Sequence, residues 1–146
     1  MASVVGTTRK LYFRLRVKDA FRRTDVASFV RDWLRHVPGD VVLFWDRANQ
    51  HKGPEIDRVL RDHPRLRIEP LPPYGFDFNA DEGVWDHVKW IQLPNFTPRD
   101  VGEQVRGYRR ALRRLQRRPD LIASFFERTA LPRRDIRMLL DQSRNP

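Results

Sequence analysis

An uninterrupted apolar segment, VVLFW at residues 41–45, is the feature that most constrains how this chain folds. The segment is short, begins with two β-branched residues and is followed by polar ones, so it predicts a strand buried on both faces. A helical apolar periodicity runs from a capping Thr24 to about His36, and Pro54 begins a second helix. The segment LRIEPL at 66–71 alternates and predicts another strand. This order predicts an α/β fold with at least one parallel pair of strands.

The two ends of the chain add a strand pattern and a helical pattern. KLYFRLRV at 10–17 alternates apolar and polar residues and predicts a half-buried strand, with SVVG before it as the end of another. After residue 93 the pattern is helical, with Thr97 as a cap and Pro98 in the first turn. Pro119 begins the next helix, and a last short one is predicted over 133–142. The apolar stripe of the first of these helices consists of Val101, Val105, Tyr108, Leu112 and Leu115.

The charge balance points to a polyanionic partner. The 146 residues fit one ordinary domain, and 40% hydrophobic residues suffice for a core. The chain has 29 Lys/Arg against 19 Asp/Glu, a net charge of +10, and residues 94–146 carry 13 of the basic and 6 of the acidic side chains. Such a balance favours nucleic acid as partner. An arginine-rich composition without that function is the alternative that composition leaves open.

Several classes of protein are excluded by residue types that the sequence lacks. Without cysteine there is no disulfide, no thiolate metal site and no cysteine nucleophile. No apolar run approaches the ~20 residues of a membrane span, and the first ten residues do not read as a signal peptide. We therefore expect a cytoplasmic protein without a membrane partner. There is no glycine-rich phosphate loop and no Gly-x-Ser-x-Gly elbow, which leaves nucleotide-cofactor and serine-hydrolase functions without support.

Asp46 is the first candidate for a functional residue. It follows the apolar strand directly, and ligands of open α/β sheets bind at the carboxyl ends of the strands. A carboxylate close to apolar surroundings needs a partner such as a metal ion. His51, five residues later, could orient this carboxylate or a phosphate, and a solvated loop histidine is the alternative. The structural alternative is an aspartate that caps the following turn, aided by Asn49.

The adjacent acids Asp81 and Glu82 are the second candidate. They open a predicted helix, where the helix dipole favours carboxylates, so a purely structural role is an alternative. Val84, Val88 and Ile91 define the apolar face of this helix. Asp81 lies at the edge of that face and Glu82 nearly opposite, so helical periodicity alone favours Asp81. A further alternative is a surface salt-bridge cluster, because Asp86 and Lys89 lie on the same side of the helix as Glu82.

A row of arginines is the third candidate. Between residues 98 and 118 the chain has eight Arg and two acidic residues. Four of the arginines lie together, away from the apolar stripe, and such a row can follow DNA phosphates with an affinity that falls with salt. A solvated helix face is the alternative. The four are Arg106, Arg110, Arg113 and Arg117.

Two of these segments together resemble a known family. WDRANQH and LPPYGFDFNADEGVW are similar to the last two motifs of the DDE endonuclease domain in bacterial insertion-sequence transposases of the mariner superfamily. The first family motif is Asp-Asn-x-x-x-His, which Asp46 and His51 match. The second is Leu-Pro-Pro-Tyr-Ser-Pro-x-Leu-Asn-Pro-x-Glu-x-x-Trp, and 35 residues separate Asp46 from Glu82, close to the usual gap. Its matching residues are Leu71, Pro72, Pro73, Tyr74, Asn79, Glu82 and Trp85.

The resemblance implies a fold, a chemistry and a role for each matched residue. The implied fold is an RNase H-like mixed α/β sheet with flanking helices, followed by C-terminal basic helices. Three carboxylates would hold two Mg²⁺ (or Mn²⁺) ions, which activate the attacking oxygen and stabilise the leaving one during DNA cleavage and strand transfer. By the match, Asp46 is the second carboxylate and Glu82 the third. Asn49, His51 and Asn79 would support the site.

The sequence also departs from the family pattern. Arg47 stands in place of Asn, Gly75-Phe76 in place of Ser-Pro, and Ala80 in place of Pro. The first catalytic carboxylate and its strand, and the N-terminal DNA-reading domain, have no counterpart. The resemblance thus predicts an incomplete fold with its first strand missing. It predicts the C-terminal part of a transposase, from a truncated gene, a split reading frame or part of a longer chain.

The expected organisation is a partial endonuclease domain over 1–93 and a basic helical extension over 94–146 that packs on it. The expected function is DDE-type transposition chemistry, inactive alone because a carboxylate is absent. Double-stranded DNA, as transposon ends and target, is the expected partner, and a homodimer or a missing N-terminal half would complete the protein. The alternatives are a non-catalytic DNA-binding remnant and a decayed fragment without function.

Overall fold

The computed structural model describes residues 2–5, 8–17 and 19–130. The chain divides into two compact units. The first combines Met1–Ala20 with Asn79–Thr129, and the second combines Phe21–Phe78 with Ala130–Pro146. The helix predicted over 133–142 lies outside the described residues. Within the described ranges, no helix is long and apolar enough to cross a membrane.

The second unit contains the parallel pair that the sequence predicts. Strand β3 (Val41–Trp45) pairs in parallel with strand β4 (Leu66–Pro70), in a register that sets Val41 beside Leu66 and Trp45 beside Pro70. Helix α1 (Arg23–Leu34) precedes β3, and helix α2 (Pro54–Asp62) connects the two strands. The expectation that β3 is buried on both faces is wrong for this two-stranded sheet. Val41 is buried, whereas the next four residues are only half-buried.

Helix α1 packs through the predicted face but begins differently. Its N-cap is Arg22 rather than Thr24, because the Asp25 carboxylate accepts the backbone N–H of Arg22 at 2.8 Å. This bond satisfies a backbone donor that the helix itself leaves unpaired. The helix ends at Leu34, two residues before the predicted end. The predicted apolar residues are all buried: Val26, Phe29, Val30, Trp33 and Leu34.

Arg65 ties the end of α1 to the start of β4. Its guanidinium donates to three backbone carbonyls, those of Leu34 at 2.5 Å, Val37 at 2.8 Å and Gly39 at 2.6 Å. The Leu34 carbonyl lies at the C-terminal end of the helix, where the helix dipole also favours a cation, and the other two carbonyls belong to the turn that follows. A planar group with several donors can serve all three acceptors at once, which a lysine ammonium cannot do with the same geometry.

The first unit holds an antiparallel pair and three helices. Strand β1 (Ala2–Val5) pairs with strand β2 (Lys10–Phe13), so the strand predicted over 10–17 ends at Phe13. Helix α3 (Ala80–Asp86) continues into a wider π-helical segment, His87–Gln92. Helices α4 (Val101–Gln116) and α5 (Pro119–Glu127) complete the unit. Its buried core consists of Leu11, Val84, Val88, Ala111, Leu112, Leu115, Ile122 and Phe125.

Helix α4 starts later than the sequence predicts. The Asp100 carboxylate accepts the backbone N–H of Glu103 at 2.7 Å and caps the helix, so Thr97 is not the cap. The apolar stripe is buried towards the end of the helix and exposed at its start, where Val101 is 51% exposed. At Gly107 the helix approaches the ring of Phe96 so closely that a Cβ atom would lie 2.6 Å from a ring carbon.

The three bonds of Arg65 predict the effect of a conservative substitution. We expect Arg65→Lys to lower the free energy of unfolding by about 2 kcal/mol, since hydrogen bonds to charged groups contribute about 1.5–3 kcal/mol and lysine cannot replace all three. Chemical denaturation measures this difference. Arg67→Lys is the control, because Arg67 is exposed and should change stability by no more than about 0.5 kcal/mol. Equal stability of both variants would contradict the role of Arg65.

Candidate active site

The carboxyl edge of the parallel pair positions the first candidate residue. Beyond the last paired residues, the N–H of Leu71 donates to the carbonyl of Trp45 at 2.8 Å, which extends the pairing by one bond. Arg47 then reaches across, and its Nε donates to the carbonyl of Leu71 at 3.1 Å. Asp46 lies between these two links, at the edge where ligands of parallel sheets bind.

Two donors hold one oxygen of the Asp46 carboxylate. Its Oδ1 accepts the backbone N–H of Ala48 at 3.0 Å and lies 2.7 Å from Nδ1 of His51, which is also 3.1 Å from the Asp46 carbonyl oxygen. The Asp46 side chain is 60% exposed, whereas that of His51 is only 11% exposed. The His51 ring stacks on Trp45, with centroids 4.5 Å apart and planes 6° apart. The carboxylate is therefore held in one orientation, with Oδ2 available to a ligand.

This geometry combines the structural and the functional interpretation of Asp46. The bond from Ala48 is the turn cap that the structural alternative predicts, and His51 Nδ1 lies 2.7 Å from the same oxygen, a distance at which it can orient the carboxylate. Asn49 contributes through its backbone, whose carbonyl accepts Nε of Arg23 at 3.3 Å. It begins a short 3₁₀ turn, Asn49–His51, which brings the histidine back towards the strand end. A capped aspartate keeps its second oxygen, so the two roles are compatible.

Glu82 lies in the first turn of α3, in the first unit. Asn79 caps this helix, since its Oδ1 accepts the N–H of Asp81 at 3.1 Å. The N–H of Glu82 donates to the Asn79 carbonyl at 3.2 Å, and its side chain is exposed. Gly83 packs against Phe125, where an added Cβ would lie 3.1 Å from the ring. Glu82 is thus accessible, whereas Asp81 is half-buried, as its position at the edge of the apolar face predicts.

The donor chemistry of these residues suits a hard divalent cation, but their number does not complete a site. Mg²⁺ prefers carboxylate oxygens, and both Asp46 and Glu82 expose one. Among the residues that the structure describes, no group of three or more His, Asp or Glu side chains is arranged to hold a metal ion. Asp46 and Glu82 belong to different units, and each is positioned by contacts within its own unit.

The predicted arginine row lies on the outer face of α4 and ends at the C-cap residue Arg117. All four of its members are exposed, while Ala111, Leu112 and Leu115 on the other face are buried. Across the described ranges, Arg110, Arg113 and Arg117 form no ion pair with an acidic side chain. The row comprises Arg106, Arg110, Arg113 and Arg117. The charges of Arg110, Arg113 and Arg117 are therefore available to an anionic partner.

Sequence reasoning missed the support that Trp45 gives to the site. The apolar pattern places Trp45 only in a buried strand, but its ring forms the surface on which His51 stacks. The available signal was the adjacency of Trp45 to Asp46, together with the five-residue spacing to His51. In the sequence, Arg47 stands out only as a departure from the family pattern. Its bond to the Leu71 carbonyl shows that it links the ends of the two strands.

A comparison with protein-family models identifies the family. The model described as DDE superfamily endonuclease matches residues 1–101, more than two thirds of the chain. The chain therefore belongs to the DDE superfamily endonuclease family. The matched region contains both Asp46 and Glu82. Membership supports a transposase-like nuclease function, for which DNA is the substrate. No curated protein and no solved structure matches the chain.

His87, which directly follows α3, makes the stability of the first unit depend on pH. Burial and then the nearby charge of Arg118 lower the pKa of His87, whose ring lies 5.7 Å from that of Phe125. Below about pH 6.5 the unfolded chain takes up this proton before the folded chain does, so stability falls as the pH drops. We expect the melting temperature to fall less between pH 7.5 and 5.5 in His87→Gln than in the unchanged protein. An identical fall in both proteins would contradict this assignment.

Proposed function

We propose that this chain is a DDE-type, transposase-like DNA endonuclease domain in which Asp46 and Glu82 are ligands of catalytic Mg²⁺ or Mn²⁺. The proposal rests on the position of the Asp46 carboxylate. This group lies at the carboxyl edge of a parallel pair of strands, in contact with Ala48 and His51, and within the region that matches the family. The edge position alone would be weak support, but the motif resemblance also assigns Asp46 as the second carboxylate of the family.

The residues around each carboxylate have distinct tasks in this proposal. His51 and the Ala48 N–H occupy Oδ1 of Asp46, so that Oδ2 is presented to the cation without a conformational search. The stack on Trp45 excludes water from one face of the His51 ring. Asn79 fixes the start of α3 and thereby the position of Glu82. These roles follow the principle that a metal ligand is oriented by hydrogen bonds from its neighbours.

A complete centre needs a further carboxylate. We infer that it comes either from an N-terminal half or from a second copy of the chain. We further propose that the chain corresponds to the C-terminal part of a bacterial insertion-sequence transposase of the mariner superfamily. The resemblance of the two motifs supports that assignment. We also propose that residues 1–93 belong to a partial RNase H-like endonuclease domain and that residues 94–146 form a basic helical extension.

Metal binding tests the proposed ligands directly. We expect Mn²⁺ affinity, measured by calorimetry or by electron paramagnetic resonance of the free ion, to fall at least tenfold in Asp46→Ala and in Glu82→Ala. Each substitution removes a hard oxygen donor, and loss of a ligand costs at least as much as loss of its supporting residues. Asp40→Ala and Asp86→Ala are matched controls. Asp40 directly precedes β3 at the opposite edge of the sheet, and Asp86 is exposed one turn beyond Glu82.

These controls separate a specific site from general charge. All four substitutions remove one negative charge, so a non-specific effect would lower Mn²⁺ affinity equally. Affinity unchanged in both Asp46→Ala and Glu82→Ala would rule out the proposed ligands.

A second function, DNA binding without catalysis, is favoured by the exposed arginine row of α4. Its exposed guanidinium groups can contact successive phosphates and release counterions from DNA. This function is independent of the carboxylates. It also persists if no further carboxylate is supplied.

Duplex binding distinguishes the two functions. We expect Arg110→Glu combined with Arg113→Glu to weaken duplex binding. The slope of log affinity against log salt between ~50 and ~200 mM should become shallower by about one for each phosphate that the protein no longer neutralises. Glu82→Ala should bind DNA as well as the unchanged protein does. Arg58→Glu with Arg61→Glu, on the exposed face of α2, is the charge-matched control. Binding that ignores salt would argue against this function.

A further inference from the structure

Two exposed residues at the carboxyl edge of the β3–β4 pair have no task in the proposed metal site. They are Arg47, which follows Asp46, and Tyr74, which follows the end of β4 by four residues. Both belong to the second unit.

Arg47 is anchored by one nitrogen and leaves its others available. Its Nε donates to the carbonyl of Leu71, a residue that is 4% exposed, while Arg47 itself is exposed. The two terminal nitrogens carry four more N–H groups. In the described part of the chain, Arg47 forms no ion pair with an acidic side chain. A guanidinium fixed at its base with its outer edge free has the geometry that binds a phosphate through two parallel hydrogen bonds.

Tyr74 is held outwards by a tight turn. The N–H of Gly75 donates to the carbonyl of Pro72 at 3.1 Å, which closes a four-residue turn through Pro73 and Tyr74. Tyr74 has a φ of 60°, in the left-handed region, and it is 92% exposed. A large side chain in this conformation is unfavourable, and such positions concentrate at functional sites. The turn therefore presents an aromatic ring to solvent at a cost in backbone energy.

We propose that Arg47 and Tyr74 contact one unpaired DNA strand at this edge. The Arg47 guanidinium binds a backbone phosphate, and the Tyr74 ring stacks on a base. The charge of the phosphate complements Arg47, and stacking on an exposed ring requires a base that is not already paired in a duplex. The contact deepens the proposed endonuclease function, on which it rests, because it sets a single strand beside Asp46.

The contact has a consequence for the role of metal. Arg47 supplies a fixed positive charge next to Asp46, so the strand can dock before any cation binds. Binding of the strand should therefore persist in EDTA, whereas chemistry at Asp46 should not.

Fluorescence anisotropy of labelled oligonucleotides in EDTA tests the contact. The probes are a duplex with a single-stranded overhang and a blunt duplex. We expect Arg47→Asn and Tyr74→Asn each to weaken binding of the overhang duplex about fivefold to tenfold, the range of one base stack or one charged contact. Tyr74→Asn should change binding of the blunt duplex less than about twofold. Arg47→Lys should restore the salt dependence that Arg47→Asn removes, because the charge returns.

Matched controls separate this contact from general effects. Arg61→Asn removes an exposed arginine in the last turn of α2, towards the amino ends of the strands, and Trp90→Ala removes a ring that is 62% exposed in the first unit. Both should bind the overhang duplex like the unchanged protein. Asparagine tolerates the left-handed conformation better than tyrosine does, so Tyr74→Asn should melt no earlier, and its loss of binding cannot be ascribed to unfolding.

Two results would overturn the proposal. One is an affinity for the overhang duplex that is unchanged in both Arg47→Asn and Tyr74→Asn. The other is an equal loss in Arg61→Asn and Trp90→Ala. Because EDTA removes all divalent cations, a failure of the metal site at Asp46 and Glu82 leaves this measurement unchanged, and the two ideas can fail separately.

Discussion

The parallel pairing of β3 with β4 is the interaction on which the candidate site depends. Its register brings Trp45 beside Pro70 and is extended by the bond from the Leu71 N–H to the Trp45 carbonyl. The positions of Asp46 and Arg47 at the carboxyl edge follow from this alignment. Asp46 follows the last paired residue of β3, and Arg47 reaches the Leu71 carbonyl because the two strands run side by side. A shift of one residue would exchange the faces on which these side chains lie.

The two carboxylates are positioned by different physical means. Asp46 is held by polar contacts, since both a backbone N–H and an imidazole bind its Oδ1. Glu82 depends on the placement of its helix, which Asn79 caps and which packs through Gly83 against Phe125. The first arrangement orients an oxygen locally. The second relies on the packing of the first unit around Val84.

The sequence predicted the elements better than their ends. The apolar run at 41–45, the helix from Pro54 and the parallel pair are confirmed, because each depends on periodicity and on proline chemistry that act locally. The caps at Thr24 and Thr97 are wrong, since Asp25 and Asp100 supply carboxylates that bind backbone N–H groups more strongly. The orientation of His51 could not be read from its spacing, because it depends on the stack with Trp45.

The packing of α4 and its surface charge depend on different residues, as the close approach of Gly107 to Phe96 illustrates. The docking of the helix is set by a glycine without a side chain and by the buried residues Leu112 and Leu115. The arginines project from the other side and take no part in that packing. Substitutions can therefore raise or lower the charge of this helix one residue at a time without disturbing its packing. At Gly107, in contrast, any side chain would clash with the ring of Phe96.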